Sequence, residues 1–375
     1  MRVLWILNGC GMEAGSITGA PVRFHEISRR WCRAQDVEGS GQAPEQVLMT
    51  TSGGEKMLRR MGCRLPAILA PASLFLRHEP FRALRLWSYV LSATLGRMAL
   101  RRIGPVDTVI TVSDYFCDIV PALALQRLQP GCRWLAWMHH RELPPRERPG
   151  SRAVNAVTWN MQQWSLRRIA ARAHKAMLLD TDAGDELARE LARNGMPSHR
   201  ILRMQNGIDL AAIEQAPAGA KRVDAAMVGI RPNKGMHDIL PVWRHLNQLR
   251  PGTTLELMGG MSGIEPLKKQ LHAEKLDRLV RFRLPAGGFM PPSEYYSALK
   301  EARLLFAPSH EEGWGIAVCE AMAAGLPVAA YDLPVYRRIY GGAFAAVPCF
   351  DARAFAETLA QLLEDRDARA SLERS

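Results

Sequence analysis

The sequence predicts an α/β protein of two doubly wound domains that face each other across an interdomain cleft. A chain of 375 residues is too long for a single hydrophobic core of ordinary size. Short apolar runs alternate with helical patterns along the chain, as parallel sheets with crossover helices require. One stretch rich in Ala and Pro, residues 215–220, interrupts this alternation and divides the chain in two.

The predicted strands are short apolar runs, each followed by a helical pattern. In the first domain they are Val3–Leu7, Val47–Thr50, Thr108–Val112, Trp134–Met138, Ala176–Leu179 and Ile201–Met204. In the second domain they are Ala225–Val228, Thr254–Met258, Leu279–Phe282, Leu304–Ala307 and Pro327–Ala330. We therefore expect a first domain at 1–214, a linker at 215–221 and a second domain at 222–375.

Composition narrows the class of protein. Charged residues make up 23% and hydrophobic residues 47% of the chain, which is typical of a globular protein. The seven cysteines include no C-x-x-C pair and the histidines no H-E-x-x-H motif, so we expect neither a disulfide framework nor a metal site. The apolar run at 3–7 is too short for a signal peptide, and Arg97 interrupts the apolar window at 87–100. These features favour a cytoplasmic protein.

The formal net charge of +12 comes mostly from residues 1–220, which hold 29 Lys and Arg against 19 Asp and Glu. Between Lys56 and Arg102, arginines alternate with apolar and aromatic residues, a pattern typical of a segment that docks on an anionic membrane surface. A solvated basic face over an ordinary core helix fits the same pattern. No nucleic-acid-binding motif accompanies the charge, so nucleic acid is not an expected partner.

The strongest functional signal is residues 308–328, Pro-Ser-His-Glu-Glu-Gly-Trp-Gly-Ile-Ala-Val-Cys-Glu-Ala-Met-Ala-Ala-Gly-Leu-Pro-Val. The pattern predicts the end of a strand, a glycine loop and a helix. Gly313 and Gly315 let the backbone approach a ligand closely. The free amides of Ile316 and Ala317, which open the helix, would then form an anion site.

Two carboxylates lie in this motif, Glu312 in the loop and Glu320 in the helix. They can flank a bound diphosphate, one reaching a sugar and the other a ribose. The motif resembles that of the retaining glycosyltransferases of the glycogen-synthase-like group (family 4, group 1), with its E-x7-E spacing and Gly-aromatic-Gly after the first Glu. The resemblance implies a GT-B fold of two facing Rossmann-like domains, with Glu312 on the donor sugar and Glu320 on the ribose.

A second segment, Val228-Gly-Ile-Arg-Pro-Asn-Lys-Gly235, resembles the family's Gly-Arg…Lys-Gly segment, with a tighter spacing. It follows the first strand of the second domain and contains Gly229. The resemblance implies that Arg231 and Lys234 neutralise the diphosphate as it leaves.

Three further segments resemble the family in the same order along the chain. Gln205–Asp209 corresponds to an Asn-Gly-x-Asp mark that closes the first domain. Two later segments end strands in glycine-containing turns, and the resemblance implies that Gly259 and Pro285 face the donor there. Glycine at a strand end is also an ordinary turn residue.

In the first domain, Ala136–Leu143 ends a predicted strand where the family has a histidine beside the donor sugar. The resemblance implies His139 in this role, with His140 as the alternative. The segment Gly15–Ala20 resembles the family's first glycine loop, and Gly19 within it would lie near donor and acceptor.

The resemblance implies a retaining transfer of sugar from a nucleotide-diphosphate donor to a saccharide or lipid-linked saccharide. No metal or other cofactor would be needed. Synthesis of a cell-surface polysaccharide or glycolipid at the inner membrane face is the expected setting. A noncatalytic nucleotide-sugar-binding scaffold or sensor would keep the same motifs and stays open. A nicotinamide-dependent oxidoreductase is not expected, because the glycines at 9, 11 and 15 lack the G-x-G-x-x-G spacing.

Overall fold

The computed structural model describes residues 1–9, 19–33, 43–70, 94, 96–139, 141–147, 152–259, 264–283 and 290–373. The chain divides into two compact units between Gln205 and Asn206. The stretch 215–221, expected as a linker, lies within the second unit. Ile213, just before this stretch, and Ala216, within it, are buried in the core of that unit, so the chain has joined the second core before the stretch ends.

The first unit contains a parallel sheet. Its strands are β1 (Arg2–Leu7), β2 (Glu45–Thr50), β3 (Ala67–Leu69), β4 (Thr108–Thr111), β5 (Arg133–Met138), β6 (Lys175–Leu179) and β7 (Ile201–Met204). In the described residues they pair in the order β3-β2-β1-β4-β5-β6-β7. Every predicted strand of this unit is confirmed within two residues. Strand β3 was not predicted, because its apolar run of three residues is shorter than any of the predicted strands.

Helices cover this sheet between successive strands. They are α1 (Gly19–Arg33), α2 (Ser52–Arg60), α3 (Phe116–Leu128), α4 (Arg152–Arg172) and α5 (Asp182–Arg193). Local sequence explains their starts: the Thr51 and Thr181 side chains cap α2 and α5 by accepting from Gly54 and Gly184 backbone N–H groups. On one face of the sheet, Trp5 packs edge-on against Phe24 and Trp137.

The second unit repeats this architecture. Its strands are β8 (Val223–Val228), β9 (Leu255–Met258), β10 (Val280–Arg283), β11 (Ala302–Ala307), β12 (Val328–Tyr331) and β13 (Ala345–Val347). They pair in parallel in the order β10-β9-β8-β11-β12-β13 over the part of the unit that is described. The five predicted strands are confirmed. Among the described strands of this unit, only β13, three residues long, was not predicted.

The helices of the second unit alternate with these strands. They are α6 (Leu210–Gln215), α7 (Ile239–Leu249), α8 (Ile264–Ala273), α9 (Pro292–Lys300), α10 (Ile316–Ala323), α11 (Pro334–Tyr340), α12 (Ala352–Glu364) and α13 (Arg366–Glu373). In the core, the Phe306 ring packs edge-to-face against Trp243 and Phe355, with ring centroids 5.2 and 4.8 Å apart. No helix within the described ranges combines the length and apolar character needed to span a bilayer.

Both sheets have the strand order of a doubly wound Rossmann-like fold, which confirms the predicted fold class. The order reverses between β1 and β4 in the first sheet and between β8 and β11 in the second. In such sheets ligands bind outside the carboxyl ends of the strands at this reversal. The loops after β8 and β11 are therefore where the second unit offers a binding site.

Candidate active site

Two glycine turns lie side by side at the carboxyl ends of β8 and β9. Gly229 and Gly259 both have left-handed backbones, with φ of +83° and +90°. A Cβ added to Gly259 would lie 3.7 Å from the Gly229 nitrogen, so the two turns are in backbone contact. The Arg231 guanidinium comes within 3.8 Å of the Cβ position of Gly229. Arg231 thus folds back over the glycine turn that follows β8.

The loop after β8 is packed backbone to backbone against the loop after β11. A short turn, Pro232–Lys234, ends at Gly235, whose φ is +78°. A Cβ at Gly235 would lie 2.0 Å from the Pro308 carbonyl oxygen, so no other residue fits without displacing this loop. The backbone N–H of His310 donates to the Asn233 carbonyl at 3.0 Å. These contacts bring the lysine of the turn to the glycine-rich loop.

Three donors converge on one oxygen of Glu312. Lys234 forms an ion pair with Oε1, and the hydroxyls of Ser309 and Tyr336 donate to the same oxygen at 2.9 and 3.2 Å. The Glu312 side chain is only 9% exposed. Its other oxygen, Oε2, has no hydrogen-bond partner among the residues that the structure describes. A carboxylate held in this way can accept hydrogen bonds from a ligand through Oε2.

Tyr336, on α11, was not predicted from the sequence. It is 1% exposed, and burial together with the charge of Glu312 raises its pKa well above the ordinary value, so its hydroxyl stays a neutral donor. Its ring lies against Gly315, where an added Cβ would come within 2.6 Å of Cε1. The left-handed backbone of Gly315, with φ of +89°, and this close approach both require glycine.

Helix α10 begins directly after Gly315. The backbone N–H groups of Ile316 and Ala317, both half-buried, lie in its first turn, where no carbonyl of the helix can accept from them. Together with the helix dipole, such amides favour an anion. Gly313 lies two residues upstream in the same loop. The chain therefore offers backbone amides that can bind an anion in the same loop and helix as Glu312.

Glu320 lies further along α10 and is held by two tyrosines of α9. Tyr295 donates to Oε2 at 2.8 Å and Tyr296 to Oε1 at 3.2 Å. Burial and the Glu320 charge raise the pKa of Tyr295 well above its ordinary value. Burial also raises the pKa of Tyr340, and the charges of Cys319, Glu312 and Glu320 add to this effect. The Tyr340 hydroxyl donates to the Gly315 carbonyl oxygen at 2.9 Å.

The first unit contains His139, which directly follows β5 and is half-buried. Its Nε2 lies 2.8 Å from the Val112 carbonyl oxygen. Since a carbonyl oxygen can only accept, Nε2 carries the proton and Nδ1 is free to accept a hydrogen bond. Burial and the nearby charge of Arg23 lower the pKa of His139 to about 3, so the imidazole is neutral at physiological pH.

The second unit brings together at one edge of its sheet most of the residues singled out from the sequence: Gly229, Arg231, Lys234, Gly259, Glu312, Gly313, Gly315, Ile316, Ala317 and Glu320. His139 belongs to the first unit, and Gly19 is the first residue of α1. His140 and Pro285 lie outside the described residues. Tyr295 and Tyr336 were not predicted, and no local pattern in the sequence indicates their contacts with the glutamates.

Comparison with known proteins gives a family match for the second unit. Residues 214–375 match the family of glycosyl transferases group 1. The chain is 29% identical to a glycogen synthase of Mycobacterium tuberculosis, over 48% of this chain and 40% of the relative. It is 30% identical to a phosphatidyl-myo-inositol mannosyltransferase of Mycolicibacterium smegmatis, over 53% and 52%. The chain thus spans about half or less of the length of these relatives.

Solved structures resemble the chain over its full length. Anabaena HepE in complex with UDP and glucose has a TM-score of 0.67 at 16% identity, with 92% of that chain covered. Sucrose-phosphate synthase from Thermosynechococcus elongatus has a TM-score of 0.70 at 17% identity, also with 92% covered. The fold is that of the GT-B glycosyltransferases. Within this chain, residues 214–375 are the part that matches the family of glycosyl transferases group 1.

Proposed function

We propose that this protein is a retaining glycosyltransferase that moves a sugar from a nucleotide-diphosphate donor to a saccharide or lipid-linked saccharide. The observation that carries the proposal is the arrangement around Glu312. Lys234, Ser309 and Tyr336 hold Oε1, and Oε2 remains available to a sugar hydroxyl beside the amides that begin α10. A buried carboxylate with this geometry has the chemistry to orient a sugar next to a bound diphosphate.

In the proposed reaction the bond between the anomeric carbon and the diphosphate oxygen breaks, and a bond to the acceptor oxygen forms on the same face. The proton of the acceptor hydroxyl passes to the leaving phosphate. Lys234, Arg231 and the α10 amides stabilise the negative charge that develops on the diphosphate. These cations and dipoles have the role that a metal ion has in other transferases, so we propose a reaction that needs no metal. Glu320 would hold the ribose.

The comparisons support this proposal at the level of substrate class. HepE was solved with UDP and glucose, which favours a nucleoside diphosphate sugar as the donor. The mannosyltransferase among the relatives is named for phosphatidyl-myo-inositol, which favours a lipid-linked acceptor as one alternative. Synthesis of a cell-surface polysaccharide or glycolipid on the cytoplasmic side of the membrane would use such a donor and such an acceptor.

The test is a thermal-shift screen of nucleoside diphosphates and their sugars, followed by transfer assays. A ligand that binds only the folded state adds roughly 2.7 kcal/mol of stability at a hundredfold excess over Kd. We expect one nucleotide to stabilise the wild type, and Glu320→Ala and Lys234→Ala to weaken its binding. Unchanged nucleotide affinity in both variants would remove the assignment. Binding without any turnover over a panel of acceptors would instead favour the noncatalytic sensor.

We further propose that the first unit docks on anionic membranes. Arg97, Arg101 and Arg102 are exposed, and Met98 between them is 62% exposed. A basic residue near an anionic surface contributes on the order of 1 kcal/mol, screened by salt. The middle of the basic stretch that suggested this, residues 71–93, lies outside the described residues.

The docking proposal is tested by cosedimentation with vesicles of graded anionic lipid content at low and high salt. We expect binding to fall when Arg97, Arg101 and Arg102 are all changed to Gln. A matched variant with Lys269, Lys275 and Arg278 of the second unit changed to Gln removes the same charge and should bind as the wild type does. Equal loss in both variants would indicate a net-charge effect, and no loss in either would indicate a solvated basic face.

A further inference from the structure

A buried arginine in the first unit has no anionic partner among the described residues. Arg23 lies on the second turn of α1 and is 9% exposed. Its Nη2 is inaccessible to solvent and has no hydrogen-bond acceptor among the described residues. Burial alone lowers the pKa of Arg23 to about 10, with no carboxylate to oppose it. Burying a charge without a partner costs free energy and is uncommon in a folded protein. The buried Arg23 guanidinium therefore indicates that an anion binds beside it.

The surroundings of Arg23 form one side of a site. Its guanidinium carbon lies 4.9 Å from the ring centroid of Trp137, a cation–π contact with a side chain that is 3% exposed. His139 packs edge-on against the same indole, with ring centroids 6.0 Å apart. Trp137 belongs to β5 and His139 follows it, so the cluster lies near the carboxyl end of the sheet, where doubly wound folds bind ligands.

The chemistry of this cluster specifies the ligand. Arg23 offers planar, paired N–H donors that match the oxygens of a phosphate or carboxylate. His139 is neutral and its Nδ1 accepts, so it suits a hydroxyl on the same molecule rather than the anion itself. Trp137 gives an apolar wall. An anionic group attached to a hydroxyl-bearing molecule, such as a sugar, satisfies all three.

We infer that Arg23 binds an oxyanion, a phosphate or carboxylate group, carried by the acceptor of the transfer reaction. The inference rests on the proposed function for the identity of the acceptor. The cations proposed to hold the donor diphosphate, Lys234 and Arg231, belong to the second unit, and the UDP-binding experiment below distinguishes an acceptor oxyanion at Arg23 from the donor diphosphate. The rival occupant within the chain is Glu13, the one acidic residue of the segment 10–18, which lies outside the described residues.

The first experiment measures stability without any ligand. Arg23→Met replaces an unpaired buried cation by an apolar chain of similar length, and we expect its melting temperature to equal or exceed that of the wild type. Glu13→Gln should leave stability unchanged. An arginine that pairs with Glu13 would instead make both variants less stable to a similar degree, and this result would overturn the inference.

The second experiment measures binding of inorganic phosphate and of UDP by calorimetry. We expect phosphate to bind the wild type and to bind Arg23→Gln at least tenfold more weakly, with UDP affinity unchanged. Arg30→Gln, which removes an exposed cation from the same helix, is the matched control and should bind phosphate as the wild type does. Equal phosphate affinity in Arg23→Gln, or a tenfold loss of UDP affinity in it, would overturn the assignment to the acceptor.

The third experiment connects the site to transfer. Neutral sugars and their phosphorylated or uronic acid forms are compared as acceptors, and we expect the charged forms to be favoured. Arg23→Gln should raise the acceptor KM at least tenfold for a charged acceptor and leave the donor KM unchanged. A preference for neutral acceptors in the wild type would contradict the inference. Phosphate binding needs no turnover, so failure of the proposed transferase function would appear separately, as absent nucleotide binding.

Discussion

The hydroxyl of Tyr336 donates to Oε1 of Glu312 at 3.2 Å, although 24 residues separate them in the chain. The same tyrosine ring occupies the space that a side chain on Gly315 would need. One residue of α11 therefore orients the carboxylate and also requires the glycine at which α10 begins. The conformation of the loop and the orientation of its carboxylate are coupled through Tyr336.

Removing the Tyr336 hydroxyl should impair transfer more than nucleotide binding. Tyr336→Phe keeps the ring against Gly315 but removes one of three donors to Glu312. Loss of such a hydrogen bond costs about 1–2 kcal/mol, so we expect kcat to fall roughly five- to thirtyfold. Calorimetry with the nucleoside diphosphate should give an unchanged Kd, because the contact orients the sugar side of the site. A large loss of nucleotide affinity would show that Tyr336 supports the whole loop instead.

Removing a tyrosine hydroxyl that contacts Glu320 should instead impair donor binding more than turnover. Tyr295→Phe removes the 2.8 Å hydrogen bond to Glu320 Oε2 and leaves this carboxylate less well oriented. We expect the donor Kd and KM to rise about three- to tenfold, with kcat at saturating donor nearly unchanged. Glu312→Gln serves as the comparison, since it should lower kcat far more than it changes nucleotide affinity. Equal kinetic profiles for the two variants would contradict the separate roles of the two glutamates.

The contact between the loops after β8 and β11 should make Gly235 more sensitive to substitution than other glycines with the same backbone. Gly235 and Gly252 both have left-handed φ angles, +78° and +83°. An added Cβ at Gly252 meets no atom within 4 Å, whereas at Gly235 it lies 2.0 Å from the Pro308 carbonyl oxygen. Gly252→Ala should cost about 1 kcal/mol of unfolding free energy from backbone strain alone. Gly235→Ala should cost several times more and weaken nucleotide binding, which denaturant titration and calorimetry would measure.

The sequence predicted the fold well because strands buried on both faces form continuous apolar runs, as in Leu304–Ala307. It also predicted the glycine-rich loops, where backbone conformation restricts the residue type. It did not predict Tyr336 or Tyr295, because a tyrosine in a short helix has the pattern of an ordinary core residue. Their contacts with the glutamates depend on how helices pack on the sheet, which local periodicity does not encode.

The acid sensitivity of the first unit should depend on His139. Its pKa is about 3 in the folded protein, because burial and the Arg23 charge disfavour the cation, against an ordinary value of 6.5. Between these values the unfolded chain takes up a proton that the folded unit does not. The unfolding free energy therefore falls as pH is lowered from 6.5 toward 3, by up to about 1.4 kcal/mol per pH unit.

Asp118 titrates over the same range with the opposite sign. Its burial raises its pKa to about 7, so the folded unit takes up a proton before the unfolded chain does, and stability rises as pH is lowered from 7 toward 3.8. The pH profile of the wild type alone therefore does not isolate His139. The difference between the wild type and His139→Gln does, because Asp118 is common to both and Gln keeps a donor to the Val112 carbonyl.

We expect the stability of the wild type relative to His139→Gln to fall steadily from pH 6.5 to pH 4, and relative to Asp118→Asn to rise as pH falls from 7. Urea titrations followed by tryptophan fluorescence would measure both, since seven of the nine tryptophans belong to the first 205 residues. A pH-independent difference between the wild type and His139→Gln would mean that the pKa of the histidine is the same in the folded and unfolded states, as for a solvated imidazole. The lowered pKa that burial and the Arg23 charge imply would then be wrong.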